Sequence, residues 1–100
     1  MTVEGDFHAE MLRLYREAKQ EGYTPSYFLR MVNEMGGLAA AKKLIGDERP
    51  SEGFTRLWEM GRLDLTVESV ALEPRYRELF SPEQLRRARQ RLREYRRGSA

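Results

Sequence analysis

Ser81-Pro82-Glu83-Gln84-Leu85-Arg86-Arg87-Ala88-Arg89-Gln90-Arg91-Leu92-Arg93-Glu94-Tyr95 carries the strongest helix signal in the chain. Ser81 is an N-cap, Pro82 sits in the first turn where its missing N–H costs nothing, and Gln84 completes a capping box. Phe80 and Leu85 flank the cap as a hydrophobic staple. Leu85, Ala88, Leu92 and Tyr95 then recur at helical spacing, which predicts one apolar stripe along the segment.

The same punctuation repeats upstream. Asp6 is expected to cap a helix from Phe7 to about Glu21, with Phe7, Met11, Leu14, Tyr15 and Ala18 as its stripe and Gly22 as a left-handed stop. Thr24-Pro25 predicts a second start, stapled by Tyr23 and Phe28, with Phe28, Met31, Val32 and Met35 inward. Gly36-Gly37 closes it, and a short third helix follows from Leu38 to Ile45. Ser51 caps a fourth helix through Met60, with Phe54, Leu57 and Trp58 inward and Gly61 ending it. Thr66 caps a fifth, stapled by Leu65 and Val70 and running to Glu73. Leu63, Leu65 and Val67 alternate as a short strand would, but Val70-Ala71 breaks the alternation and favours helix. The expectation is an all-α fold, a compact orthogonal bundle of about six short helices in a single domain over residues 1–100. Its ordered core is expected at about 6–97, with residues 1–5 and 98–100 frayed.

Composition narrows the function classes. The 100 residues, 40% of them apolar, suffice for one core. With no cysteine, disulfides and thiolate metal sites are excluded, and a reducing compartment fits. No apolar run approaches the roughly 20 residues of a membrane span. The acidic start, Met1 to Asp6, is unlike a signal peptide, so a cytoplasmic location is expected.

The run Gly53-Phe54-Thr55-Arg56-Leu57-Trp58-Glu59-Met60-Gly61-Arg62-Leu63-Asp64-Leu65-Thr66-Val67-Glu68 resembles a family of small bacterial helical proteins. Gly36-Gly37, Ala41-Lys42-Lys43-Leu44 and Leu79-Phe80-Ser81 extend the likeness, which covers about Leu12 to Tyr95. The resemblance implies a segment found alone or beside larger bacterial proteins. It implies no activity, and no functional residue is carried over from it.

Chemistry-bearing motifs are sparse. His8, the one histidine, has no nucleophile or carboxylate near it in sequence and reads as a surface residue. Asp47-Glu48 reads as loop solvation, and Asp64 with Glu68 as complement to a helix dipole rather than a metal site. The serines lack a nucleophile elbow, and Gly36-Gly37 lacks the surroundings of a phosphate loop. Neither an enzyme nor a cofactor, metal or small-molecule substrate is expected.

Two surfaces remain. Glu83 to Arg97 holds seven arginines against two glutamates, a net of +5. Arg86, Arg87, Arg89, Arg93, Arg96 and Arg97 are candidate contacts to nucleic-acid phosphates. Against that, arginine favours helices, Glu83 can pair with Arg87 and Glu94 with Arg91, and the arginines are expected to point in several directions, so that no single face concentrates them. Tyr95, beside them, is the best base-stacking candidate, though more simply it closes the apolar seam. The segment Tyr27 to Ile45 could be sought as a helix-turn-helix, but its second helix offers no Arg, Asn or Gln to read bases. Trp58, Arg62, Tyr23 and Tyr27 are candidates for a protein interface, where such residues are enriched. The better reading of Trp58 is nonetheless core, and that of Arg62 with Asp64 a turn pair. The leading reading is a non-enzymatic interaction module that docks onto a larger intracellular protein or a copy of itself. The alternative is a nucleic-acid accessory domain working through the last helix.

Overall fold

In the computed structural model, which describes residues 2–98, the first helix starts a turn earlier than Asp6 would have it. Thr2, in extended backbone, accepts Gly5 N–H on its Oγ1 at 2.9 Å, and α1 runs Val3–Gln20. The early start adds Val3 to the Phe7, Met11, Leu14, Ala18 stripe, and burial of that extra residue favours the longer helix. Asp6 becomes a first-turn acid, favourable there against the helix dipole. Residues 3–5 are therefore helical rather than frayed. Gly98 closes the last helix, while Ser99 and Ala100 lie outside the described residues. The α1 exit is as predicted: Gly22 takes φ +99°, and Tyr23 N–H reaches back to Ala18 O at 3.0 Å in a Schellman turn.

α2 (Ser26–Met35) begins one residue later than Thr24-Pro25 suggests. Thr24 does not cap it. Pro25 (φ −80°, ψ 74°) centres an inverse γ-turn in which Ser26 N–H bonds Thr24 O at 2.9 Å. Met31 and Val32 are buried as expected, but Met35 is 44% exposed. Gly36 alone joins α2 to α3 (Gly37–Gly46), and its φ of 90° with ψ of 154° is a conformation reserved for glycine. A Cβ on Gly37 would stand 2.8 Å from His8 Cα, so the second glycine answers a different need, the close approach of α3 to α1.

α4 (Glu52–Glu59) starts from Ser51, whose Oγ accepts Phe54 N–H at 3.0 Å, and ends in a second Schellman turn at Gly61. The alternating Leu63–Leu65 stretch forms a 3₁₀ turn, and the described residues contain no strand. α5 (Val67–Ala71) is two residues shorter than predicted. Thr66 caps it and, with Ser69, donates a hydroxyl to Leu63 O, so the corner is satisfied locally. A further 3₁₀ turn, Arg77–Leu79, leads to α6 (Pro82–Gly98).

These six α-helices among the described residues make an all-helical globule around α3, which packs on α1, α2, α5 and α6. Gly37, Ala40 and Ala41 are fully buried, and their small size lets the neighbours close in. Phe7 anchors the interior, meeting Tyr76 and Phe80 edge-on at 5.2 and 5.4 Å. Tyr76 is thus core rather than a core-edge or surface tyrosine. No helix among the described residues is long and apolar enough to cross a membrane.

Candidate nucleic-acid interface

α6 is built from its predicted cap. Ser81 Oγ accepts Gln84 N–H at 3.1 Å, and Gln84 Oε1 accepts Ser81 N–H at 2.9 Å, a complete capping box. Ala88 and Leu92 are buried, with Leu85 and Tyr95 half-buried beside them.

Between Ala88 and Tyr95 the buried face includes an arginine. Arg91 is only 6% exposed and donates to Glu68 Oε2 at 2.9 Å, Leu44 O at 3.2 Å and Asp47 O at 2.7 Å. Glu68, 1% exposed, is a core residue rather than a surface acid at a helix start. Burial pushes its carboxyl above the usual range, against the pull of Arg91. Arg87 reaches the same end of α3, donating to Gly46 O at 3.3 Å and Asp47 O at 3.2 Å. Two guanidinium groups thereby cap the carbonyls that α3 leaves open at its C-terminus, where cations are favoured. The pairings expected from sequence are not the ones formed. Arg87 turns to α3 instead of Glu83, and Glu94 accepts from Gln90 at 3.0 Å instead of pairing with Arg91.

With those two arginines turned inward, the rest fall into order. Arg86, Arg89, Arg93 and Arg97 are exposed and follow one another at three, four and four residues, which places them in one row on the outer face. From Arg86 to Arg97 the row advances eleven residue steps, about 16 Å of helix axis. Among the described residues none of these four has an ion-pair partner. Arg96 is exposed on the same side but has an interaction of its own. The impression that no face concentrates the arginines is corrected: it came from counting Arg87 and Arg91 among the solvated ones.

The other sequence candidates are scattered. Trp58 Nε1–H donates to Tyr95 O at 3.0 Å and its ring meets Tyr95 edge-on, so it fastens α4 to α6. Tyr95 itself is held between Phe54 and Trp58, at 4.9 and 5.2 Å. Arg62 pairs with Asp64 at 3.0 Å and with Glu21, tying the turn after α4 to the end of α1. Its guanidinium holds the Asp64 carboxyl below the usual range. Tyr23 is half-buried under Arg56, while Tyr27 is 64% exposed. Both tyrosines line a cleft of about 510 Å³ with Phe28, Met31, Phe54 and Leu57. His8 is half-buried, not a free surface residue: its Nδ1 accepts Gly37 N–H at 2.9 Å and caps α3 from another helix. Among the described residues no three His, Asp or Glu side chains converge as a metal site would require.

Arg91 and Glu68 were the residues local reading missed, although a signal existed. Arg91 lies three residues after Ala88 and four before Tyr95, inside the apolar register. Glu68 stands three from both Leu65 and Ala71.

No protein-family model matches this chain, and no curated protein or solved structure matches it either.

Proposed function

We propose that this chain is a binding module, without a reaction of its own, that grips the phosphate backbone of nucleic acid through the outer face of α6. The observation that carries the reading is the row Arg86, Arg89, Arg93 and Arg97, exposed, aligned and unpaired among the described residues. Guanidinium forks match phosphate geometry, and a clustered basic face is the usual electrostatic footprint of such binding. The sequence-level preference for a protein interface weakens in comparison, because Trp58 and Arg62 are engaged within the chain. Absence of cysteine supports a cytoplasmic setting for this role.

Fluorescence anisotropy with a labelled nucleic acid at two salt concentrations tests it, since phosphate contacts make affinity fall steeply with salt. The combined Arg86→Glu, Arg89→Glu, Arg93→Glu variant should lose binding while its far-UV circular dichroism stays that of the wild type. Wild-type affinity in that variant defeats the reading.

A second reading, docking onto a protein or a second copy of the chain, is favoured by Tyr27 at the apolar cleft. A pull-down from the host that Tyr27→Ala empties, with the arginine variants still retaining the partner, would place the working surface there instead.

A further inference from the structure

We infer that the α6 face is matched to duplex rather than single-stranded nucleic acid, and that it takes duplex of any sequence. The inference rests on the phosphate-binding reading above and specifies its ligand.

The arginine-bearing helix is rigidly held. α6 is one uninterrupted helix, started by the capping box at Ser81 and fastened to its neighbours at two levels, by the Arg87 and Arg91 bonds to the end of α3 and by the Trp58 bond to Tyr95 O. The four arginines are thus borne on a preset helix, along about 16 Å of its axis. Over that length a duplex presents about ten phosphate charges, one per ~1.7 Å, on a rod that stays stiff over about 150 base pairs. Neither partner's backbone needs ordering to bring the two together. A single strand must be ordered against the same row, and proteins that accept one usually offset that cost by stacking bases on aromatic rings.

The aromatic rings near the row are already engaged or lie elsewhere. On α6 the one aromatic ring is Tyr95, and it is already clasped edge-on by Phe54 and Trp58. The exposed Tyr27 belongs to α2. The α6 face therefore offers guanidinium groups and no stacking platform. Indifference to sequence follows from what the face lacks. Both amide side chains of α6 are spent within the helix, Gln84 on the capping box and Gln90 on Glu94, which leaves a row of guanidinium groups alone to meet the phosphates.

The experiment compares, for the intact chain, two duplexes of about 20 base pairs and unrelated sequence, oligo-dT of the same length, and poly-glutamate, titrated from about 50 to about 200 mM NaCl. Four phosphate contacts predict a log–log salt slope of about −3.6 on duplex, a roughly 150-fold loss of affinity across that range. Arg86→Gln, Arg89→Gln, Arg93→Gln and Arg97→Gln should each flatten the slope by about 0.9. The two duplexes should bind within about threefold of each other and at least tenfold tighter than oligo-dT. Oligo-dT binding as tightly as duplex, with the same dependence on the arginines, overturns the duplex preference and leaves phosphate binding standing. A tenfold difference between the two duplexes overturns the sequence indifference. Poly-glutamate binding as tightly as duplex would overturn the inference in favour of an acidic protein partner. If no nucleic acid binds at the lowest salt, the phosphate-binding reading itself falls.

Discussion

Replacing Arg91 by methionine should be among the most damaging single changes this chain can suffer. The substitution keeps the apolar stem but removes the only ion-pair partner that Glu68, 1% exposed, has among the described residues. Removing one member of a buried pair costs about 3–5 kcal/mol. Loss of the bonds to Leu44 O and Asp47 O adds less, because the Asp47 region is exposed and water can replace the donor. At 4–8 °C per kcal/mol for a domain of this size, the melting temperature should fall by about 12–40 °C. Removing the charge on both sides, as Glu68→Leu with Arg91→Met, should recover most of the loss, since buried pairs replaced by apolar residues are often neutral to stability. The pH dependence has a definite sign. The folded-state carboxyl of Glu68 is raised by burial, so the native state takes up a proton before the unfolded chain does. Lowering the pH through that raised value therefore relieves the penalty, and more so once the guanidinium is gone. Urea unfolding followed by circular dichroism should show the R91M deficit shrinking as the pH is lowered from neutrality toward the ordinary carboxylate range. A deficit under about 1 kcal/mol, additivity in the double variant, or a deficit that grows on acidification would each refute the account of this pair.

Gly37→Ala and Gly36→Ala should each cost about 1–3 kcal/mol in urea melts, the first by overpacking against His8 Cα, the second by forcing alanine into a glycine-only conformation. His8→Ala removes the acceptor for Gly37 N–H and should cost about 1 kcal/mol, with faster amide exchange at Gly37 as its local signature. The Glu10 carboxyl, bonded through both oxygens to Arg13, is held below its usual range, the opposite case to Glu68. Its contribution is present above the ordinary carboxylate range and lost as pH falls through the lowered value. Glu10→Gln should accordingly cost about 1 kcal/mol near pH 7, and less in thermal melts as the pH falls through the lowered value.

What could be read from sequence was whatever is settled within a few residues. The Ser81–Gln84 box, the Ser51 and Thr66 caps and the glycine exits at Gly22 and Gly61 involve partners three to five positions apart, and all form as expected. Local reading failed where two local solutions competed. Thr2 outdid Asp6 because it also buries Val3, and Pro25 made a γ-turn that left Thr24 without a capping role. Contacts across the chain were out of reach: Glu68 meets Arg91 over 23 residues, and His8 meets Gly37 over 29. The arginine row was hidden for that reason. Its alignment is plain only once Arg87 and Arg91 are known to serve α3, and that depends on where α3 ends in space.

The bond from Trp58 to the Tyr95 carbonyl has a practical consequence. As the sole tryptophan, that indole is an internal optical gauge placed where the last turns of α6 rest on α4. Its emission should shift to the red when α6 lifts away, and stay still when a ligand settles on the far side of an undisturbed helix. Detachment of the binding element and occupancy of its surface can thus be followed separately, without adding a dye.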